Sequence, residues 1–194
     1  YLFSHSMGTL VARGYIQKYD NEIEKIIFCG TPTKNPFTPF AITMAYLFKF
    51  IGMGKRPNKI LNYLTFNSYN KGYQLENEWL SKNPNNISIY NDDELCGFTF
   101  TTNGFINLYK LLKRAFDAKL YKVQNKKLEI FLIAGDNDPV IQSTKKFKQL
   151  EQFLNKIGYK NTQSKLYPDL RHEILNEKEY EQIYSDILEF IKGE

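Results

Sequence analysis

Cysteine and histidine are scarce in this chain, and each scarcity removes a class of function. Its 194 residues hold two cysteines, Cys29 and Cys96, too few and too far apart for a disulfide framework or a metal site. They read as reduced, structural side chains, in keeping with a cytoplasmic protein, and no metal or cofactor is called for. With two histidines in all, imidazole chemistry falls on His5 or His172. Long apolar runs are missing too. The most apolar stretch, Phe37 to Met53, is interrupted by Pro39, Lys49 and Gly52, and falls short of the about 18 apolar residues of a spanning helix. Nor is there a long basic block. The net charge of +5 comes from lysines scattered between acidic residues, which argues for a solvated surface and against a nucleic-acid groove. No internal repeat is visible.

What remains is the composition of one soluble globular domain, 42% hydrophobic and 24% charged. Apolar runs alternate with amphipathic ones, as a parallel sheet with crossover helices requires. A short strand Tyr1-Leu2-Phe3 leads into a helix from Ser6 to about Tyr19, and Lys25–Cys29 reads as a strand broken by Gly30-Thr31-Pro32. Later come a helix from about Asn103 to Leu120 and strand Leu128–Ala134. Helix Gln142–Ile157, strand Gln163–Tyr167 and helix Glu177–Ile191 complete the pattern. From about Thr33 to Thr102 the alternation stops, and aromatics, asparagines, prolines and lysines mix. That segment reads as an insertion after a core strand.

The most informative residues are Ser4-His5-Ser6-Met7-Gly8. A strand running straight into a helix makes a sharp, strained turn, and the residues two before and two after the central serine are expected to be small. Gly8 meets that demand and Ser4 meets it less fully. Two later segments give the pentapeptide its meaning. Leu128–Ala134 ends in Gly135-Asp136-Asn137-Asp138-Pro139-Val140, and the last strand ends near Arg171-His172-Glu173-Ile174-Leu175-Asn176-Glu177. Serine, acid and histidine therefore follow one another in the chain order of α/β-hydrolases, each beyond the C-terminal end of a strand.

These motifs resemble the α/β-hydrolases of the monoacylglycerol-lipase and lysophospholipase-like group, also described as the serine aminopeptidase-like domain. The likeness runs over nearly the whole chain, through the H-S-M-G elbow, the G-x-x-D-P-V acid loop and the R-H-E-I-L-N-E histidine loop. Glu78-Trp79-Leu80-Ser81 and Glu94 to Thr101 resemble the cap of bacterial members. The resemblance implies an α/β-hydrolase fold, a mostly parallel sheet with flanking helices, in its C-terminal portion, with the core spanning 1–194 and a helical cap at 33–102. It implies Ser6 as nucleophile, His172 as base and Asp138 as the acid that orients it, with the Met7 N–H as an oxyanion-hole donor. Asp136 competes with Asp138, and the residue before Pro-Val is the family's acid. His5 reads as a packing residue pointing away from the nucleophile, and Arg171 with Glu173 as an ion pair bracing the loop.

The implied substrate is a small acyl ester or lipid, with transient membrane contact and no nucleic acid. Cleavage would proceed through an acyl-enzyme. Two alternatives stay open. An aminopeptidase would need carboxylates among Glu76, Glu78, Asp92, Asp93 and Glu94 to hold a free amino terminus, and a non-catalytic binding module would use the cap surface alone. Phe37 to Met53 reads either as a helix facing an acyl-binding cleft or as an ordinary buried cap helix. Trp79 and Phe98 to Phe100 are expected to anchor cap to core. The chain opens on Tyr1 with about three residues of strand before the elbow, against a usual five to six. It is therefore expected to be the C-terminal part of a longer hydrolase, with an incomplete oxyanion hole, unreadable targeting and poor solubility on its own.

Overall fold

Strand sequences that are apolar on both faces demand cover on both sides, and the chain supplies it. The computed structural model describes residues 1–193. Four strands, β1 (Leu2–His5), β2 (Lys25–Cys29), β3 (Glu129–Gly135) and β4 (Asn161–Tyr167), form one sheet in the order β1-β2-β3-β4 with every pairing parallel. Alternation along β2 and β3 divides the core. Ile26, Phe28, Ile130 and Leu132 face one side, where they pack with Ala12 and Ile16 of α1 (Met7–Tyr19) and Phe147, Leu150 and Leu154 of α6 (Thr144–Ile157). Ile27, Cys29, Phe131 and Ile133 face the other, against Ile183 and Phe190 of α7 (Tyr180–Lys192).

Between β2 and β3 the chain is helical: α2 (Thr38–Phe48), α3 (Lys59–Phe66), α4 (Pro84–Asp92) and α5 (Thr102–Ala115). Asn58 caps α3 by accepting the Leu61 N–H, and Thr101 caps α5 by accepting that of Gly104. This segment has its own core of Ala45, Leu61, Phe105, Ile106 and Tyr109. Helix α5 thus serves two masters: its N-terminal half packs into this cluster, while Arg13 and Gln17 of α1 donate to the carbonyls of Ala115 and Arg114 at its end.

Several boundaries differ from the sequence reading. The helix expected from Asn103 to Leu120 stops at Ala115, and Asp117 caps a separate short turn, Ala118–Leu120. Helix α6 starts two residues late, because Pro139–Ile141 forms its own turn, Gln142 adopts φ 61° and Ser143 takes the N-cap. Strand β4 begins at Asn161 rather than Gln163, and α7 at Tyr180 rather than Glu177. Phe98 is no anchor to the sheet. It is exposed and stacks on Phe100, which joins the cluster of the inserted segment.

Candidate active site

The turn after β1 carries the strain that its sequence suggests. Ser6 sits at φ 52° and ψ −127°, a conformation that costs a non-glycine residue about 1–3 kcal/mol and persists only when its surroundings enforce it. The surroundings here are specific. The Ser6 N–H donates to the Cys29 carbonyl at the end of β2 (2.9 Å), the Thr9 N–H donates to the Ser6 carbonyl (3.0 Å), and Ser4 Oγ donates to the Ile27 carbonyl (3.1 Å). The steric expectation for Gly8 is not met. A Cβ placed there meets nothing within 4 Å among the described residues. Met7 opens α1, where the first N–H groups have no intrahelical acceptor.

Acid and histidine loops meet beyond the other strands. His172 Nδ1 lies 2.9 Å from Asp138 Oδ2, and the two residues are 2% and 3% exposed. Asp138 Oδ1 also accepts the Val140 N–H at 2.8 Å. With Nδ1–H donated to a carboxylate, the neutral ring presents Nε2 as an acceptor. Asp136 is elsewhere: it is exposed and its carboxylate accepts the Asp169 N–H, tying the two loops together. His5 turns toward the histidine loop. Its Nε2–H donates to the His172 carbonyl (3.2 Å), and its ring centroid is 4.6 Å from that of His172. Burial, reinforced by the charge of His172, holds the His5 imidazole below its ordinary 6.5.

Ser6 lies in the wall of a cavity of about 1360 Å³ whose lining also includes Met7, Trp79, Pro139 and Val140. No hydrogen bond joins Ser6 Oγ to His172, and such bonds are often long before a substrate binds. The structure therefore brings His172 and Asp138 together and sets Ser6 next to His5, whose ring stacks on His172. Farther out the cavity is lined by Phe40, Ala41 and Met44 of α2, Tyr63 of α3 and Leu108 and Leu112 of α5. Helix α2 thus lines the cavity on one side and is buried through Ala45 in the helical cluster on another. Among the described residues no His, Cys, Asp and Glu side chains gather as metal ligands would.

The expected Arg171–Glu173 ion pair is absent. Arg171 instead donates to the carbonyls of Glu78 (2.6 Å) and Ser81 (2.7 Å), pairs with the Glu78 carboxylate at 3.3 Å and stacks on Tyr73. Glu173 donates its N–H to the Leu80 carbonyl, and its carboxylate accepts from Asn176 Nδ2. A long-range clamp wins because residues 78–82 lie against the histidine loop and offer free carbonyls. It also places Trp79, whose ring lies 5.1 Å from His172 on one side and 5.1 Å from Tyr69 on the other. Burial, with the Asp138 charge behind it, pushes the Tyr69 hydroxyl up to about 12.

Two glycines escaped the sequence reading as site residues. Gly30, at φ 57°, would put a Cβ 3.0 Å from both His172 Cε1 and Nδ1 and 3.3 Å from Asp138 Oδ2, so it forms the floor under the pair. A Cβ on Gly135 would sit 2.1 Å from the Leu170 carbonyl oxygen. The backbone of the histidine loop rests directly on it. The only signal in the sequence was position, each glycine following a strand.

A parallel sheet flanked by helices, a strained serine between strand and helix, and a buried His–Asp pair at the same edge define an α/β-hydrolase. The chain belongs to the family described as serine aminopeptidase, S33, which matches residues 1–179. Solved structures agree on the fold. A highly thermostable carboxyl esterase from Bacillus coagulans, in complex with glycerol, superposes with TM-score 0.89 at 24% identity over 100% of this chain and 64% of its own. The monoacylglycerol lipase of Paleococcus ferrophilus gives 0.70 at 21% identity, over 97% and 66%. A soluble variant of monoglyceride lipase from Saccharomyces cerevisiae, with a substrate analog, gives 0.67 at 19%, over 98% and 61%. The chain thus spans about two thirds of the length of these structures. No curated protein matches the sequence significantly.

Proposed function

We propose that this chain carries the triad of a serine hydrolase that cleaves carboxylic esters, with a monoacylglycerol or lysophospholipid as substrate. Ser6 Oγ attacks the ester carbonyl, His172 takes its proton and returns it to the departing alcohol, and Asp138 fixes the imidazole tautomer and stabilises the imidazolium. The Met7 N–H, at the positive end of α1, stabilises the oxyanion. Water activated by His172 then releases the acid. The observation that supports this reading is a strained Ser6 in the wall of a cavity lined by Phe, Met, Leu and Tyr side chains from the inserted helices, with His5 beside it in the chain and the His5 ring against the buried His172–Asp138 pair. We read the 33–102 segment as a cap that holds the acyl chain.

Carboxylates bear on the choice between ester and peptide. A free amino terminus needs an uncommitted carboxylate near Ser6, and Glu78 is committed. Its oxygens accept the N–H groups of Gln74 and Leu75 and pair with Arg171, which together hold its carboxyl below the usual range. Only Glu76, of the five acidic candidates, lines the cavity. Hydrolysis of p-nitrophenyl acyl esters is expected to outrun that of aminoacyl amides, and to vanish in Ser6→Ala. Faster amide cleavage rejects the proposal.

A further inference from the structure

The His172 ring is fixed at one edge by Asp138, and two other rings stand against it: His5, at 4.6 Å between centroids, and Trp79, at 5.1 Å. Trp79 is the one tryptophan of the chain, and core packing does not account for it. It belongs to none of the three apolar clusters and stands half-buried in the cavity wall, while the residue that seats its segment is Leu80, 4% exposed. The largest side chain of that segment is set against the histidine instead.

Backbone bonds put it there. Trp79 sits in the short turn Glu78–Leu80, and Arg171 spans that turn by donating to the carbonyls of Glu78 and Ser81. The Glu173 N–H donates to the Leu80 carbonyl (2.8 Å), and the Glu177 carboxylate accepts the Lys82 N–H (2.7 Å). The residues on either side of His172, Arg171 and Glu173, are therefore bonded to the residues on either side of Trp79, Glu78 and Leu80. His172 and Trp79 are opposed across a clasp of two distant segments, in the way that residues oppose one another across a pair of strands.

We propose that Trp79 is a positioning residue for His172: the clasp between residues 78–82 and 171–177 holds its ring against the imidazole and limits the swing that the single bond to Asp138 leaves open. Nε2 then stays where Ser6 must deliver its proton, with no reorganisation at the moment of reaction. Once the proton has moved, the indole also attracts the imidazolium, since 5.1 Å lies within the about 6 Å over which an aromatic ring attracts a cation. His5, held below its ordinary 6.5 by burial, faces the same ring as a neutral neighbour at pH about 7. The inference rests on the ester-hydrolase reading for the task of His172, whereas the positioning itself can be observed without catalysis.

The test is proton NMR of the full chain bearing Ser6→Ala, followed by kinetics with Ser6 intact. The His172 Nδ1–H, bonded to Asp138, is expected as a far-downfield resonance that His172→Gln removes. Trp79→Leu broadens that resonance through exchange with solvent, and Trp79→Phe, which keeps a ring, preserves it. With p-nitrophenyl butyrate as substrate, Trp79→Leu lowers kcat about tenfold or more and leaves KM within about twofold, and Trp79→Phe recovers most of the loss. Arg171→Met lowers kcat as well and adds little to Trp79→Leu, because both act through one ring. A parent without the resonance, or a Trp79→Leu chain that keeps it sharp, overturns the proposal. So does a rise in KM with no fall in kcat, which marks only a wall for the substrate, and so do losses from Arg171→Met and Trp79→Leu that simply add. A parent that hydrolyses no ester while its resonance responds to Trp79→Leu removes the ester reading and leaves the positioning standing.

Discussion

Replacing Gly135 by alanine adds one methyl group, and the structure says where it goes. The new Cβ falls 2.1 Å from the Leu170 carbonyl oxygen, 2.3 Å from the Leu170 carbonyl carbon and 2.4 Å from the Arg171 carbonyl oxygen. Carbon to oxygen contacts in folded backbone run at about 3.3–3.6 Å, so residues 170–171 must retreat by about 1.2 Å or more. They are backbone atoms and cannot rotate aside. His172 follows next in the chain and moves with them, away from a position fixed by its 2.9 Å contact to Asp138. A misplacement of that size costs about a hundredfold in turnover, and overpacking of this kind costs about 1–3 kcal/mol of stability. Gly14→Ala supplies the control. Its Cβ meets only Leu111 Cδ1 at 3.9 Å, in a helix, where alanine is favoured by about 0.5–1 kcal/mol. Ester turnover and urea unfolding of both variants decide the matter. A Gly135→Ala chain with the parent's turnover would refute the claim that the acid and histidine loops are locked backbone to backbone.

Three further outcomes are expected. Gly30→Ala meets both a positive φ and the His172 ring, so labelling by an active-site fluorophosphonate slows about tenfold or more while stability falls by about 1–2 kcal/mol; parent-like labelling contradicts this. Ser6→Gly relieves the strain at φ 52° and gains about 0.5–2 kcal/mol in urea unfolding, net of glycine's entropy, while abolishing labelling. His5 is held below the ordinary imidazole value of 6.5, first by burial, so on acidification the unfolded chain takes up a proton that the folded one refuses. Its contribution to stability is whole above 6.5 and shrinks as pH falls below it. His5→Gln should flatten the loss of stability between about pH 7.5 and pH 5.5, and an unchanged slope would remove His5 from that account.

Much of the core was legible because buried parallel strands write themselves as unbroken apolar runs: Lys25–Cys29 was found to the residue and Leu128–Ala134 to within one. The candidate residues Asp138 and His172 could be picked out from the loops beyond those strands, and the structure brings these two together. What stayed hidden depends on distant chain. Arg171 looked ready to pair with Glu173 two residues away, yet its partners are Glu78 and Ser81, which no local pattern connects to it. Trp79 read as an anchor of cap to core, but that its contact is with His172 lay outside any local pattern. Gly30 read as a strand breaker and Gly135 as the start of the acid loop, because a close approach by a loop from elsewhere leaves no periodicity to detect.

The proposed chemistry requires Ser6 to be a nucleophile activated by His172. Intact-mass and peptide analysis after treatment with a fluorophosphonate puts that to the test. A single adduct on Ser6 is expected, forming far more slowly in His172→Ala and in Asp138→Asn. An adduct on another residue, or one on Ser6 whose rate ignores both substitutions, would contradict it.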